Sequence, residues 1–272
     1  MNYINLNGKI TAAEEARIPI DNGSFRYGYG LFETILVKDS VINLKQYHWE
    51  RLFAGMRQIY YDIPVLFTEA YLEKAVLAVV RKNKLEALCR VRLQVFATGG
   101  GLYSSEKNNP GFLVECFPLD HSVLLLNENG LTTGIAQGLN KSNDTLSNLK
   151  SANALIYAIA AKQAKEQKWN DALICNTAGN VIESTIANIF WIKKGQFYTP
   201  PLSEGCIAGV MRKYIMEQTP VTEKILDLQA LSEADEVFLT NSVRRIKWVS
   251  NYEKTSFKNT QIKHIYSTLF PK

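Results

Sequence analysis

The order of strand-like and helix-like segments limits the fold of this chain more than any single motif. Tyr3-Ile-Asn-Leu6 reads as a short strand, Asn7-Gly8 as a tight hairpin turn, and residues 9–11 as its partner. Leu31-Phe-Glu-Thr-Ile-Leu-Val37 has the β-branched and aromatic mixture of a strand, with a turn at 38–40 and a returning strand at 41–44. Helical spacing covers 46–60, and Thr68 caps a second helix running to about Asn83. Cys89-Arg-Val-Arg-Leu-Gln-Val-Phe96 alternates with period two, which puts Arg90, Arg92 and Gln94 on one face. Residues 111–117 form a further strand, and Gly99-Gly-Gly101 is a flexible turn without the ending of a phosphate loop. The second half mixes strands at 131–136, 172–175, 188–192, 196–198 and 236–239 with helices at 152–167, about 208–218 and 229–233. Neither half repeats strand and helix regularly, so an α+β fold is expected rather than a doubly wound parallel sheet. Pro118-Leu-Asp-His-Ser122 is the best linker, which divides the chain into domains at 1–117 and 123–272.

Composition narrows the function classes. The chain has 272 residues, 46% hydrophobic and 21% charged, which is enough for a sizeable core. A net charge of +5 without a dense Lys/Arg block gives no nucleic-acid surface. Residues 1–8 lack a basic segment followed by an apolar one, so no signal peptide is expected. Apolar runs such as 155–161 are too short to span a bilayer. Cys89, Cys116, Cys175 and Cys206 are scattered among apolar neighbours and read as buried free thiols. His48, His121 and His264 lie far apart, so neither a metal site nor a histidine triad is expected. The cytoplasm is the expected compartment.

Several polar groups sit where burial would be costly. Lys150 ends the polar run Ser142–Asn153, just ahead of an Ala- and Leu-rich helix. A partly desolvated lysine amine has a lowered pKa and serves as a nucleophile or base. Read alone, it is equally a surface lysine, since lysines are rarely buried unless paired. Glu183 is set into the mostly apolar run 179–191, where a carboxylate needs a partner unless it lies at a solvated strand edge. Gly209 opens a helix, and a helix start is both an ordinary element and a ready anion site. The Arg90 and Arg92 face is either solvated or the lining of a pocket for an acidic ligand.

Taken in order, these segments resemble the class IV aminotransferases, the fold-type IV pyridoxal-phosphate enzymes. The matching stretches are Tyr27-Gly-Tyr-Gly-Leu-Phe-Glu-Thr34, His48-Trp-Glu-Arg-Leu52, Leu149-Lys-Ser-Ala-Asn153, residues 181–190 around Glu183, residues 205–212, and Thr240-Asn-Ser242. The resemblance implies two α/β domains, the smaller N-terminal, with pyridoxal 5'-phosphate between them, and a homodimer. It implies that Lys150 forms the Schiff base and acts as general acid and base, and that Glu183 pairs with the pyridine nitrogen. Arg51, the amides of Val210 and Met211, and Ser242 with Asn241 would hold the phosphate. Asn153, one helical turn beyond Lys150, would reach the ring oxygen. Tyr29, Arg90, Arg92 and Arg244 are the substrate-binding candidates, for a small-molecule amino substrate.

The run after the lysine departs from the branched-chain enzymes, because Leu155 stands where they carry a cofactor-contacting tyrosine. Lys-x-x-Asn and Thr240-Asn-Ser-Val243 resemble 4-amino-4-deoxychorismate lyases of folate biosynthesis, or D-amino-acid aminotransferases. Ala97-Thr98 replaces the Arg-Gly pair common before the lyases' glycine turn. Arg244, Arg245 and Lys247 follow the phosphate loop, where an inward cation would suit a dicarboxylate and an outward one would be solvated. The lyase is the leading expectation. The alternatives are an aminotransferase of branched-chain or D-amino acids using 2-oxoglutarate, and a non-catalytic ligand-binding relative, which retention of Lys150, Glu183 and Arg51 argues against.

Overall fold

A computed structural model of the protein describes residues 2–99 and 108–271. Of the glycine turn, Gly100 and Gly101 lie outside the described residues. The chain forms two compact units: Met1–Val123 together with Lys150–Asn153, and Leu124–Leu149 together with Ala154–Lys272. The short return of Lys150–Asn153 to the first unit is a departure from a simple division along the sequence.

The first unit contains β1 (Tyr3–Leu6), β2 (Lys9–Ala12), α1 (Gly23–Tyr27), β3 (Gly30–Lys38), β4 (Val41–Ile42), α2 (Lys45–Gln58), α3 (Glu69–Lys82), β5 (Leu88–Ala97) and β6 (Pro110–Pro118). Its six strands make one antiparallel sheet in the order β2-β1-β6-β5-β3-β4. The Asn7-Gly8 turn has φ of 53° and 90°, the left-handed pair that suits the twist of a two-residue hairpin. Thr68 accepts the Tyr71 amide at 3.2 Å and caps α3, as its sequence suggests. Along β5, Cys89, Val91, Leu93 and Val95 are buried, while Arg90 is exposed and Arg92 half-buried. Helices α2 and α3 bury Leu52, Met56, Leu72, Val76 and Val79, leaving Arg92 on the sheet face that carries Phe32.

The second unit contains β7 (Leu131–Lys141), α4 (Leu155–Glu166), β8 (Asp171–Asn176), β9 (Val181–Ser184), β10 (Asn188–Lys193), β11 (Gln196–Thr199), α5 (Val210–Gln218), β12 (Val221–Glu223), α6 (Leu228–Ser232), β13 (Glu236–Asn241), β14 (Arg245–Tyr252), β15 (Thr255–Ser256) and α7 (Thr260–Leu269). Strands β10, β13, β14, β7, β8 and β9 neighbour one another in that order, and β9 returns to β10 through the Asn188–Glu183 pair. The path closes into a ring, which leaves few free edges. Strands β11 and β12 extend from β10, and β15 from β14. The β14–β7, β7–β8 and β11–β12 pairs are parallel and the others antiparallel. The interior is filled by Leu173, Ile189, Trp191, Val237, Leu239 and Val249 among others. The mixed sheet and unevenly spaced helices agree with the expected α+β class. All four cysteines are free and buried.

Some elements escape the sequence patterns. Strand β14 has no clean alternation, because only Ile246, Val249 and Tyr252 are buried along it. Helix α7 is held by Glu236, whose carboxylate accepts the Gln261 and Ile262 amides at 2.9 Å each, a cap from 24 or more residues away. Helix α4 begins at Leu155 rather than 152, since Ser151 bridges to Leu31 and the chain bends at Ala152. No described helix is long and apolar enough to cross a membrane.

Gly130, just before β7, has φ of +72°, and a Cβ there would lie 2.4 Å from Ser250 Cβ. Both the conformation and the space exclude a side chain. Gly130→Ala should lower unfolding stability by about 1–3 kcal/mol. Urea denaturation of the two proteins measures it, and an unchanged midpoint would show that the β7–β14 contact yields.

Candidate active site

Lys150 is placed by main-chain bonding to β3, not by a helix. The Phe32 amide donates to the Lys150 carbonyl at 2.9 Å, and the Ala152 amide to Gly30 at 2.8 Å. Leu31 and Ser151 form an antiparallel bridge. Ser151 is thus held like a strand residue beside β3, and Lys150 precedes it half-buried. Its Nζ stands 4.4 Å from the centre of the Phe32 ring. Arg92 Cζ stands 3.9 Å from the same ring centre. One aromatic ring therefore carries two cations, each attracted by its π-face. The Lys150 amine and the Arg92 guanidinium thus share one aromatic neighbour within one unit.

Beside Phe32, Glu33 is buried and anchors a second cluster. Its Oε1 accepts Arg51 Nε at 2.8 Å and its Oε2 accepts Arg51 Nη2 at 2.5 Å. His48 Nδ1 lies 2.6 Å from the same Oε2. Burial alone would push the Glu33 carboxyl up, but Arg51 and His48 overcome it and hold the group at about 2. Burial lowers the His48 pKa, against Glu33, and Arg51 and Lys150 add to the lowering. The imidazole is then neutral, gives its Nδ1 proton to Glu33, and leaves Nε2 without a hydrogen-bond partner among the described residues. The fork on Glu33 fixes the Arg51 guanidinium plane, so two separate sequence motifs, around Phe32-Glu33 and His48 to Leu52, meet in one ion cluster.

In the second unit the central group is Glu183 on β9, 2% exposed. Its backbone pairs with Ile174 of β8 and Asn188 of β10, where the strand ring closes. Oε1 accepts Lys141 Nζ at 2.6 Å and the Tyr157 hydroxyl at 2.8 Å. Oε2 accepts the Ile207 amide at 2.9 Å. Burial, then Glu183, raises the Tyr157 pKa, which keeps the hydroxyl a neutral donor. The same segment leads into α5. Gly209 is its N-cap, and a Cβ there would fall 1.8 Å from Asn188 Oδ1, so only glycine allows the approach. The glycine N-cap makes no side-chain cap of the first turn, where buried Val210 and Met211 lie.

The other sequence candidates divide. Asn153 is exposed and sits ahead of α4, so it is not one helical turn from Lys150; the extended bridge to β3 prevents that. Tyr29 donates its hydroxyl proton to the Ile59 carbonyl and accepts from Asn108, which ties it into loop packing. Arg90 stacks 4.7 Å from the Phe117 ring centre at the surface. Asn241 Oδ1 accepts the Val243 and Arg244 amides at 3.1 and 2.8 Å, closing a turn that leaves Ser242 buried and Arg244 exposed. Arg245 and Lys247 donate to the Leu124 and Leu125 carbonyls. Burial, with Arg244 and Arg245 adding to it, lowers the Lys247 amine to about 8. Glu33, Lys141 and Tyr157 were not singled out from sequence, although Glu33 lies inside a quoted motif. No group of three or more His, Cys, Asp or Glu able to hold a metal occurs among the described residues.

Glu33→Gln should destabilise the protein by about 2–4 kcal/mol at neutral pH, because it leaves Arg51 without its counter-charge. A depressed carboxyl stabilises above its unfolded pKa and loses that contribution as pH falls toward the folded one. The difference between wild type and variant should therefore shrink between about pH 4.5 and 2. Urea unfolding across that range measures it; a constant difference would rule out the ion cluster as its source.

Comparison with known proteins adds the family. The model described as amino-transferase class IV matches residues 30–252. The chain is 27% identical over 246 residues to an aminodeoxychorismate lyase of Vibrio harveyi, covering 89% of each. It is 25% identical over 260 residues to a branched-chain-amino-acid aminotransferase of Escherichia coli, covering 90% of this chain and 82% of that one. The crystal structure of a branched-chain aminotransferase from Thermoproteus uzoniensis superposes with a TM-score of 0.88 at 23% identity, over 98% of this chain and 93% of that one. The match spans both the β3 to α2 ion cluster and the strand carrying Glu183, and on it the chain belongs to the class IV aminotransferases, the fold-type IV pyridoxal-phosphate enzymes.

Proposed function

We propose that the protein is a pyridoxal-phosphate enzyme in which Lys150 is the reactive amine and the substrate is an amine bearing a carboxylate. The observation that carries this reading is the shared ring of Phe32, whose centre lies 4.4 Å from the Lys150 amine and 3.9 Å from the Arg92 guanidinium carbon. The residues present fit the cofactor. A carboxylate has about four acceptor positions. Three of those on Glu183 are filled by the chain and one remains on Oε2, where a ring N–H can be received. Arg51 presents a guanidinium whose plane is fixed by Glu33, and the first turn of α5 has no side-chain cap. These suit a phosphate.

When bound, the cofactor supplies an electron sink for a carbanion next to the substrate nitrogen. Lys150 takes the proton from the amine-bearing carbon. Arg92 holds a substrate carboxylate and sets that carbon against the amine. Glu183 would receive the ring N–H, and Arg51, Val210, Met211 and Ser242 would hold the phosphate.

The specific reaction proposed is that of 4-amino-4-deoxychorismate lyase. Loss of the proton lets the enolpyruvyl side chain leave, to become pyruvate on protonation, and the ring becomes aromatic as 4-aminobenzoate. The run Lys150-Ser-Ala-Asn153 with Leu155, and the Vibrio harveyi relative, support it. The second reading is amino-acid transamination with 2-oxoglutarate, supported by the Escherichia coli relative. A homodimer in the cytoplasm accompanies either reading.

Purified protein supplied with aminodeoxychorismate should form 4-aminobenzoate and pyruvate. Efficient transamination of branched-chain or D-amino acids with no 4-aminobenzoate would refute the lyase in favour of the second reading. Lys150→Ala should abolish turnover in a folded protein, and borohydride should fix cofactor to Lys150 in the wild type. Activity like wild type in that variant would mean another amine does the chemistry. Arg51→Ala should weaken pyridoxal-phosphate binding at least tenfold, read by equilibrium titration, while binding of pyridoxal changes little.

A further inference from the structure

The proposed pairing of Glu183 with a cofactor ring leaves one neighbour without a role. Lys141, at the end of β7, is half-buried and puts its ammonium 2.6 Å from Glu183 Oε1. The Tyr157 hydroxyl shares that oxygen, and the ammonium lies 5.4 Å from the centre of the Tyr157 ring. A carboxylate whose only task was to receive a ring N–H would need no second cation. The neutral donors Tyr157 and the Ile207 amide already fix its orientation through both oxygens. What Lys141 adds to them is charge.

We infer that Lys141 is a positioning residue that acts through Glu183: its ammonium competes for the carboxylate's charge and so lowers the proton affinity of a ring nitrogen received at Oε2. The inference rests on the reading of Glu183 as the ring's partner. Around this carboxylate the other titratable groups are neutral or more distant in effect. Tyr157 reaches it from α4. Cys206, ahead of α5, has its thiol pushed up to about 12, by burial first and then by Glu183, with Arg212 and Lys141 opposing. Lys141 is the cation paired with Glu183 among the described residues. A fixed positive charge at the distance of a shared carboxylate opposes a second positive charge by on the order of one to two pH units in a partly buried site. The result is a moderated electron sink rather than a fully protonated one.

The sign of the effect separates this role from a structural one. A cation that only props up Glu183 should, when lost, impair protonation of the ring. A cation that competes with the ring should, when lost, improve it. The full-length protein is loaded with pyridoxal phosphate labelled with nitrogen-15 in the ring, and the ring-nitrogen chemical shift is followed against pH. Lys141→Met should raise the protonation midpoint by about one pH unit or more, and Lys141→Arg, which keeps the charge, should restore the wild-type midpoint. Lys141→Gln serves as the second neutral variant if Lys141→Met does not fold. A midpoint that stays or falls in the neutral variants overturns the inference. Glu183→Gln is the control for the reading beneath it. If that variant lowers ring protonation and the Lys141 variants do nothing, only the role of Lys141 fails. If Glu183→Gln leaves the ring signal unchanged, the assignment of Glu183 fails as well.

Discussion

Taking a carboxylate out of water costs several kcal/mol unless charge and hydrogen bonds replace the solvent. In each unit of this protein one buried glutamate meets that constraint with basic side chains. Glu33 is 1% exposed and is matched by the fork of Arg51 and by His48. Because Glu33 occupies both Nε and Nη2 of Arg51, the guanidinium is held in one plane. The residue before it, Phe32, carries Lys150 and Arg92 on its ring. Strand β3 thus alternates a buried charge with a half-buried aromatic platform, and both sides of the strand contribute.

Glu183 shows the same constraint solved another way. It sits where the strand ring closes, so its backbone is bonded on both sides and its side chain has one direction to take. A cation, a phenol and a backbone amide then complete its shell. Two further buried carboxylates are satisfied differently. Asp171 accepts the Ser184 and Thr185 hydroxyls and two backbone amides, with no cation paired to it among the described residues, and burial raises its pKa. Glu236 accepts the first amides of α7. These two satisfy backbone and hydroxyl donors of the fold itself. Glu33 and Glu183 instead hold basic side chains in place.

Local chemistry made much of this legible in the sequence. The Asn7-Gly8 hairpin, the Thr68 cap and the alternation of β5 are decided by residues within a few positions of one another. So they appear in the structure close to where their patterns put them. The burial of Lys150 was not decidable that way, nor was Glu33. The Lys150 segment is held by the bonds of Lys150 to Phe32 and of Ala152 to Gly30, more than a hundred residues earlier, and Glu33 looks like any strand glutamate until α2 folds over it. The helical position expected for Asn153 gave way for the same reason, as Ser151 bridges to β3 despite a helix-favouring composition. Strand β14 and helix α7 lacked a local signature because neighbouring strands and Glu236 supply what their own residues do not.

The sequence by itself determined the family and the mixed α+β class, because those follow from residue type and chain order. Tertiary structure alone decided the company those residues keep. It brought Arg92 to the ring that holds Lys150, bound Arg51 to Glu33, and set Lys141 and Tyr157 on Glu183. The physical reason is the range of the interactions. Caps and turns act over a few residues, whereas the pairing of a buried charge acts through space between segments that only folding brings within hydrogen-bond distance.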